Sequence, residues 1–339
     1  MDTSMLETLA QIAPDLMSDM ELRALILERV GALGPIGRRA LALRLHLQER
    51  EVRSAAEALR QAQCLTHSAA GMELTERGRE LVDAARLISR GRRSLSAMET
   101  YLARRLNAER VCVVRGDADR DSEVIREIGR AAAGQIRFLL QGAQVLAVSG
   151  GRTMAAAAEA ICVAAPMDVT VVPASGGMSG GVRTQANTLA ERFAEKLGGR
   201  HRMLHLPEGL SQQEAAELCA LSQVREALEL ARHADVLIYG AGDALEMAQR
   251  RGMSLAQRDA LRSSGAAGEA LGFYFGVRGQ MVGGVSAAVD PVHLGRVNAA
   301  ALLAGGESKA AAIAAICRHH PHRLLVTDEG AARLLMEMV

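Results

Sequence analysis

Several loops in this sequence combine glycine with cationic or hydroxyl side chains directly after a short apolar run. Glycine lets the backbone turn tightly and bring N–H groups close to a ligand, and a helix that starts just behind adds the positive end of its dipole. Arginine, lysine, serine and threonine donate the hydrogen bonds that phosphate oxygens accept. The sequence therefore predicts a site for a small anionic ligand. The loops are SGGRT (149–153), ASGGMSGG (174–181), GAGDA (240–244), GGESK (305–309) and TDEG (327–330).

The SGGRT and GGESK loops are the strongest candidates, because each places a cation after a glycine pair and ahead of an alanine-rich segment. A single glycine loop is more often ordinary turn chemistry. Two cradles on one sheet edge fit a doubly phosphorylated ligand, or one phosphate and a polar sugar. The candidate ligand-binding residues in these loops are Gly150, Gly151, Arg152, Thr153, Ser175, Gly176, Gly177, Asp243, Ser308 and Lys309.

Two further segments carry polar groups suited to sugar hydroxyls. Gln185 and Asn187 stand at the start of a predicted helix, where their amides could contact hydroxyls; alternatively, Asn187 or Thr184 caps the helix. Glu269 lies among small residues in GAAGEALGFYF. Its carboxylate could accept hydrogen bonds from a sugar, act as a general base or pair with an arginine.

Motifs for several other chemistries are absent from the sequence. It has no P-loop, no dinucleotide-binding G-x-G-x-x-G and no H-E-x-x-H helix. The HHPH segment (319–322) has no acidic or cysteine partner at ligand spacing apart from Cys317, so we expect a polar turn there. We therefore expect neither a metal nor a cofactor.

The elements that must position these loops are short apolar runs alternating with helical segments. This rhythm predicts an α/β domain with a parallel sheet, in which ligands bind at the carboxyl ends of the strands. The predicted strands are 111–114, 145–148, 169–173, 202–206, 235–239, 298–304 and 324–328.

The N-terminal part of the chain predicts a winged helix-turn-helix. Apolar residues recur at helical spacing over 20–30, 36–47 and 48–63, and two short extended pieces follow around Ala70 and Gly71. A further helix begins near Leu74, with a break expected at Gly91, and continues to about Leu106.

A positive stretch within this part suggests contact with DNA. Pro35 to His67 holds six arginines against three glutamates, a local charge of +3. We expect the third helix to lie in the major groove of DNA, and the start of the second helix to contact phosphates. The alternative is that these arginines form an ordinary solvent-exposed helix face. The candidates are Gln48, Arg50 and Arg53 for base edges, and Arg38 and Arg39 for phosphates.

Composition sets the remaining bounds. The 339 residues are 49% hydrophobic and 23% charged with a formal net charge of +1, which predicts a folded chain of about two domains. The five cysteines are scattered without a C-x-x-C pair, and no apolar run is long enough for a membrane span. We expect reduced core cysteines and a cytoplasmic protein.

Nearly the whole chain resembles the central glycolytic gene regulator branch of the SorC family, with motifs in the same order. The segments that carry this resemblance are PIGRRALALRLHLQEREVR, RGDADRDSEVIREIGRAAA, VSGGRTM, VPASGGMSGGVRTQANT, MAQRR, GEALGFYF, AGGESKAAAI and VTDEGAA.

The resemblance implies a bacterial repressor of a glycolytic operon, not an enzyme, whose effector is fructose-1,6-bisphosphate. We expect a winged helix-turn-helix with a leading helix in 1–88, a linker helix in 89–106, and a Rossmann-like parallel-sheet domain for effector binding and oligomerisation in 107–339. The resemblance implies that this last domain is related in fold to sugar-phosphate isomerases and deaminases. A dimer or tetramer would bind double-stranded operator DNA. By position, effector contacts would fall on Gly150, Gly151, Thr153, Gln185, Glu269 and Lys309.

Two residues depart from the family pattern. Ser175 stands where the family usually has an arginine, and Arg152 stands where it has a threonine. Losing a guanidinium from a phosphate site removes a bidentate donor worth about 1.5 to 3 kcal/mol. We expect Arg152 to supply the lost charge from the neighbouring loop.

Two other functions stay open at the level of sequence. One is a sugar-phosphate isomerase or deaminase with a DNA-binding domain, using Glu269 or Asp243 as the base, although no acid–base pair is evident. The other is a SorC-type regulator of a different sugar phosphate, for which Ser175 is the main argument.

Overall fold

The structure, a computed structural model, divides the chain into two compact units, Met1–Ser96 and Ala97–Val339. It describes residues 13–45, 47–68, 70–176, 181–206, 212–284, 289 and 297–339. Among these residues, no helix is long and apolar enough to cross a membrane.

In the first unit, the described residues form three helices, followed by a two-stranded hairpin and the beginning of a long helix. The elements are α1 (Pro14–Leu33), α2 (Arg38–Leu45), α3 (Glu49–Gln61), β1 (Leu65–Ser68), β2 (Gly71–Leu74) and α4 (Glu76–Arg105). The strands β1 and β2 pair antiparallel as the predicted wing. Helix α4 runs without the break that the sequence predicted at Gly91, and it contains the boundary between the two units.

The amphipathic pattern of α3 decides which of its faces is buried. Val52, Ala55, Ala56 and Leu59 are buried in the core of the first unit, alongside residues of α1 and α2. Gln48 caps the helix, since its backbone N–H donates to Glu51 Oε2 at 2.9 Å. The polar side chains of α3 are therefore left on the opposite face.

The second unit is built on a seven-stranded parallel sheet. Its strands are β3 (Val111–Val114), β4 (Val145–Val148), β5 (Thr170–Pro173), β6 (Arg200–His201), β7 (Val236–Gly240), β12 (Ala299–Leu303) and β13 (Leu324–Asp328). The order across the sheet is β3-β13-β12-β7-β4-β5-β6. The predicted fold class is confirmed.

The strand order contains a reversal that creates a crevice. The chain moves outward from β4 through β5 to β6, returns to β7 on the other side of β4, and continues away through β12 and β13. In open α/β sheets, ligands bind beyond the carboxyl ends of the strands where the direction of winding reverses. The loops that follow β4 and β7 stand at this point.

Helices connect the strands and cover the sheet. In the part of the chain that the structure describes, they are α5 (Glu123–Leu139), α6 (Arg152–Ala160), α7 (Ala186–Leu197), α8 (Gln212–Cys219), α9 (Ser222–Arg232), α10 (Ala244–Arg250), α11 (Leu255–Ser263), α12 (Ala310–His319) and α13 (Glu329–Met338). Buried aliphatic side chains of α5, α6 and α7 form one core with the strands.

A second sheet of four antiparallel strands was not predicted from the sequence. It comprises β8 (Gly242–Asp243), β9 (Ala266–Ala270), β10 (Phe273–Gly276) and β11 (Met281–Gly284), in the order β11-β10-β9-β8. Its register places Glu269 opposite Gly242. This sheet therefore brings Glu269 to the carboxyl end of β7.

The strand predicted over 202–206 is wrong. The parallel ladder reaches Arg202, whose N–H donates to the Val171 carbonyl at 3.0 Å. Beyond it, the backbone of Leu204 bonds to the side-chain amide of Asn187, with distances of 2.8 and 2.9 Å, instead of to a neighbouring strand. A side chain thus replaces the sheet as the hydrogen-bonding partner.

All five cysteines are free. Burial raises the pKa of Cys112 to about 11 and that of Cys317 to about 12, so both thiols are protonated at neutral pH. The expectation that the cysteines are core residues is wrong for Cys162, which is exposed.

Candidate functional site

A cavity of about 190 Å³ lies at the carboxyl ends of β4, β7 and β12, where the winding of the sheet reverses. Glycine, hydroxyl and charged residues from separate loops converge on it. The polar and glycine residues that line it are Asp119, Ser149, Gly150, Gly151, Arg152, Thr153, Ser175, Gly176, Gly181, Thr184, Gln185, Gly240, Gly242, Glu246, Arg250, Arg251, Glu269, Gly305 and Lys309.

The N-terminus of α6 forms one wall of the cavity. The first bond along the helix runs from the Ala155 N–H to the Gly151 carbonyl at 3.0 Å. The N–H groups of residues 152–154 therefore precede any acceptor within the helix. Free N–H groups and the helix dipole together favour a negative charge at this end.

Two glycines shape this wall. Gly151 has a φ of +125°, a conformation that L side chains rarely adopt. A Cβ on Gly150 would lie 2.7 Å from the Thr184 carbonyl oxygen, closer than a carbon atom can approach. The glycine pair thus allows the turn from β4 into α6 to lie against the loop that carries Gln185.

Among the described residues, four cationic side chains line the cavity. Arg152 belongs to the first turn of α6, Arg250 and Arg251 to the end of α10, and Lys309 to the turn that leads into α12. Lys309 and Arg251 are largely buried, with side-chain exposures of 16% and 15%. Buried cations are costly unless they are paired, so each of these two is expected to face a carboxylate.

The Lys309 ammonium pairs with Glu246, with an Nζ to Oε2 distance of 2.7 Å. This hydrogen bond is the main reason why the pKa of Glu246 lies below its ordinary value, and the charges of Lys309, Arg250 and Arg152 lower it further. Glu246 therefore carries a negative charge at neutral pH among three cations.

Arg251 pairs with Glu269, whose side chain is buried. The Nη1 to Oε1 distance is 3.0 Å, and the same carboxylate oxygen accepts the Gly272 N–H at 2.7 Å. Of the three roles left open for Glu269, pairing with an arginine is therefore the one that the structure shows. Its carboxylate still lines the cavity.

Most of the predicted ligand-binding residues meet in this one cavity. Gly177 lies outside the described residues. The predicted residues that line the cavity are Gly150, Gly151, Arg152, Thr153, Ser175, Gly176, Gln185, Glu269 and Lys309.

Three predicted residues have other partners and do not line the cavity. Asn187 binds the backbone of Leu204, as described above. Asp243 caps α10, since its Oδ1 accepts the N–H groups of Leu245 and Glu246 at 3.0 and 2.9 Å. The Ser308 hydroxyl donates to Asp119 Oδ1 at 3.0 Å. Asp243 is thus the N-cap of α10.

Sequence reasoning missed Glu246, Arg250 and Arg251 as site residues. A signal was available for Arg250 and Arg251, because MAQRR (247–251) spans the end of the helix directly after β7 and its glycine loop, and Glu246 immediately precedes this segment. Asp119 was missed as well, and it comes from the loop after β3.

A buried carboxylate holds the backbone beside the cavity. Asp328 Oδ2 accepts the N–H groups of Gly306 and Ala118 at 2.7 and 2.8 Å, and Oδ1 accepts the Ala331 N–H at 2.9 Å. Burial raises the pKa of Asp328, while these three hydrogen bonds oppose the rise. Asp328 thereby fixes the turn that presents Lys309.

The histidine segment after α12 lies away from this cavity. His322 is buried, and its Nε2 lies 2.6 Å from the hydroxyl of the buried Tyr239. Burial, together with the nearby His320, lowers the pKa of His322 to about 3, so the ring is neutral. Within the described part of the chain, no group of three or more His, Cys, Asp or Glu side chains is placed to hold a metal.

The predicted DNA-contacting residues all lie on the exposed surface of the first unit. Arg39 pairs with Glu49 across α2 and α3, with an Nε to Oε2 distance of 3.1 Å. Among the described residues, Arg38, Arg50 and Arg53 form no ion pair and stand free for other partners. Gln48 lies beside Arg50 at the first turn of α3.

Comparison with known proteins supports both units. Residues 93–337 match the family model described as "Putative sugar-binding domain", and residues 20–89 match the CggR N-terminal DNA binding domain. The chain is 35% identical to the central glycolytic genes regulator of Priestia megaterium, over 98% of both chains. It is 34% identical to the regulator of the same name from Bacillus subtilis, over 96% of both.

Solved structures show the same relationship. A SorC family transcriptional regulator from Enterococcus faecalis matches with a TM-score of 0.66 and 32% identity, covering 71% of this chain and 99% of that one. The full-length sorbitol operon regulator SorC from Klebsiella pneumoniae matches with a TM-score of 0.67 and 17% identity, covering 92% and 97%. The second likeness concerns the fold alone.

A winged helix-turn-helix with free arginines, joined to a parallel-sheet domain with a cation-lined cavity, defines a sugar-responsive, DNA-binding regulator of transcription. The chain belongs to the SorC family of transcriptional regulators, and its relatives are the central glycolytic genes regulators. These relatives and neighbours are regulators and not enzymes, which favours the regulator over the isomerase or deaminase alternative.

Proposed function

We propose that this protein is a repressor of glycolytic genes whose binding to operator DNA is controlled by fructose-1,6-bisphosphate. One observation in particular supports a doubly phosphorylated sugar as the effector. The N-terminus of α6 and the Lys309 side chain line the same cavity from two different loops, so each can receive one phosphate.

The residues divide into phosphate and sugar contacts. Arg152 and Thr153, with the N–H groups at the start of α6, receive one phosphate, and Lys309 with Arg250 receives the other. Gln185 and the Glu269 carboxylate serve the hydroxyls between them.

A different sugar phosphate is the second candidate, and Ser175 favours it. Ser175 is a buried residue of the cavity wall at the position where the family usually has an arginine. A hydroxyl supplies one short donor in place of the charged fork of a guanidinium. A ligand with only one phosphate would suit a cavity that had lost this group.

Calorimetric titration of the full chain decides between the effectors. The panel contains fructose-1,6-bisphosphate, fructose-6-phosphate, glucose-6-phosphate, glucosamine-6-phosphate, dihydroxyacetone phosphate and ribose-5-phosphate, and each is checked for conversion. We expect the bisphosphate to bind most tightly and to be recovered unchanged. Tighter binding of a monophosphate would support the second candidate, and turnover of any compound would contradict the regulator.

The DNA partner, the assembly and the location complete the proposal. A single winged domain gives few contacts, so we propose a homodimer or homotetramer on a repeated operator, within the cytoplasm. Light scattering measures the assembly, and selection from a randomised duplex pool finds the operator.

The selected duplex then tests the recognition helix. Arg53→Ala is expected to weaken binding about ten- to hundredfold, because an arginine that contacts a base edge is worth about 1–3 kcal/mol. Arg60→Ala is the matched control on the same helix, since Arg60 already pairs with Glu57 at 2.6 Å. Equal losses for the two variants would contradict base recognition by Arg53.

A further inference from the structure

The Lys309–Glu246 pair joins two loops that are far apart in the sequence. Lys309 ends the short turn Glu307–Lys309 after β12, and Glu246 lies in the first turn of α10 after β7. Strands β12 and β7 are neighbours in the sheet, so the two loops meet at the same edge. The tertiary fold therefore places a carboxylate on the ammonium that the proposed function assigns to a phosphate.

Glu246 is the acidic member of a cationic group. Its carboxylate lies 2.7 Å from the Lys309 ammonium, and the charges of Arg250 and Arg152 lower its pKa together with that of Lys309. Its side chain is 52% exposed, whereas that of Lys309 is 16% exposed. The carboxylate can therefore turn toward solvent more easily than the ammonium can.

A phosphate that binds Lys309 meets this carboxylate in two ways. It must replace the carboxylate as the partner of the ammonium, and its own negative charge is repelled by any carboxylate that stays nearby. Both effects lower the affinity for the effector.

We propose that Glu246 is an internal competitor for the effector phosphate, which holds Lys309 until a phosphorylated sugar displaces it. The proposal rests on the proposed function of the cavity as a sugar-phosphate site. It assigns to Glu246 the setting of the concentration at which the regulator responds.

The test compares Glu246→Gln with Glu307→Gln in the full chain. Glutamine keeps the shape of the side chain and removes its charge. Glu307 is the matched control, because it lies in the same turn as Lys309, does not line the cavity, and faces Arg120 at 3.5 Å. Calorimetry measures the affinity for fructose-1,6-bisphosphate and for inorganic phosphate at low and at high salt.

We expect Glu246→Gln to bind both ligands about two- to tenfold more tightly than the wild type, as a partly exposed charge pair allows. Glu307→Gln is expected to bind as the wild type does. The difference should narrow at high salt, because screening weakens the competing charge. Thermal unfolding without ligand checks that each variant is folded.

Other outcomes distinguish a failure of the role proposed for Glu246 from a failure of the proposed sugar-phosphate site. Equal binding by Glu246→Gln and wild type would overturn the competitor, and so would weaker binding, which would make Glu246 an acceptor for the effector's hydroxyls. In both cases the proposed function would stand. If the wild type and both variants bind neither fructose-1,6-bisphosphate nor inorganic phosphate, the proposed function fails and the competitor fails with it.

Discussion

Arg152 and Ser175 line the same cavity. They lie shortly after β4 and β5, which are neighbouring strands of the sheet. This neighbourhood gives a physical basis for the exchange that the sequence suggested, in which an arginine is lost from one loop and gained in the next. A guanidinium at the first position of α6 also adds to the positive end of the helix. The proposed exchange would keep the charge of the cavity and move its source from one loop to the next.

Replacing Arg152 with threonine is expected to weaken the binding of fructose-1,6-bisphosphate about ten- to hundredfold, because charged hydrogen bonds to a phosphate are worth about 1.5–3 kcal/mol. Arg200→Thr is the control, since Arg200 lies on the edge strand β6 and pairs with Asp168. Calorimetric titration measures both. Unchanged affinity in Arg152→Thr would refute the idea that this side chain replaces the missing arginine.

His322 predicts how stability depends on pH. Its pKa is lowered from 6.5 to about 3 in the folded protein, chiefly by burial. Between the two pKa values, about pH 3 and pH 6.5, the unfolded chain therefore binds a proton at His322 that the folded chain does not bind. Because stability rises with pH wherever the unfolded state binds more protons, the free energy of unfolding should fall as the pH drops below about 6.5.

The contribution of His322 is measured against His322→Gln, which stays neutral. We expect the wild type to lose up to about 1.4 kcal/mol more per pH unit between pH 6 and 5. His205→Gln, at an exposed position, is the control and should keep the wild-type profile. Tyrosine fluorescence reports the second unit alone, because the chain has no tryptophan and its tyrosines are Tyr101, Tyr239 and Tyr274. Parallel profiles for the wild type and His322→Gln would contradict this account.

At the scale of elements, the sequence predicted best where burial alone decides the structure. The strands β4, β7 and β12 are apolar runs, and each has a neighbouring strand on both sides in the sheet. Helix α3 has a clear apolar face. The antiparallel sheet was missed because its strands are short, and because β9 and β11 are rich in alanine or glycine and show no alternation. The same sheet positions Glu269, and the sequence, which allowed a pairing with an arginine, could not show that Arg251 is the partner.

Contact between α5 and α6 gives a test of how α6 is held beside the cavity. A Cβ on Gly129 of α5 would lie 2.5 Å from the backbone of Ala156 in α6, whereas nothing lies within 4 Å of a Cβ on Gly134. Gly129→Ala should therefore destabilise the second unit by about 1–3 kcal/mol and weaken sugar-phosphate binding. Gly134→Ala should stabilise it by about 0.5–1 kcal/mol.

Denaturation followed by tyrosine fluorescence compares the two alanine variants, which differ only in their position on one helix. A stabilising Gly129→Ala would mean that α5 and α6 can separate without cost, and that their close approach at Gly129 is not required.

At the scale of the molecule, the site is assembled from loops that follow different strands of the sheet and lie far apart in the sequence. The sequence could identify the loops after β4 and β12 from their glycines and cations. It could not show that Glu246 forms an ion pair with Lys309, or that the Asn187 side chain forms hydrogen bonds with the backbone of Leu204. Both interactions depend on which loops become neighbours in three dimensions.

Reciprocity governs the coupling between sugar and DNA. If the effector changes the affinity for the operator, the operator must change the affinity for the effector by the same factor. We expect the dissociation constant of fructose-1,6-bisphosphate to differ about 5- to 150-fold between the free and the operator-bound protein. Calorimetric titration with and without the selected duplex measures it, and equal constants would rule out control of DNA binding by this ligand.

The pairing of β3 with β13 has a consequence for synthesis of the protein. These are the first and the last strands of the parallel sheet to leave the ribosome, and they lie side by side. The sheet cannot close until β13 has emerged, whereas the winged helix-turn-helix, with its own core, is complete much earlier. For the rest of translation, the nascent chain carries a DNA-reading surface without the sensor that controls it.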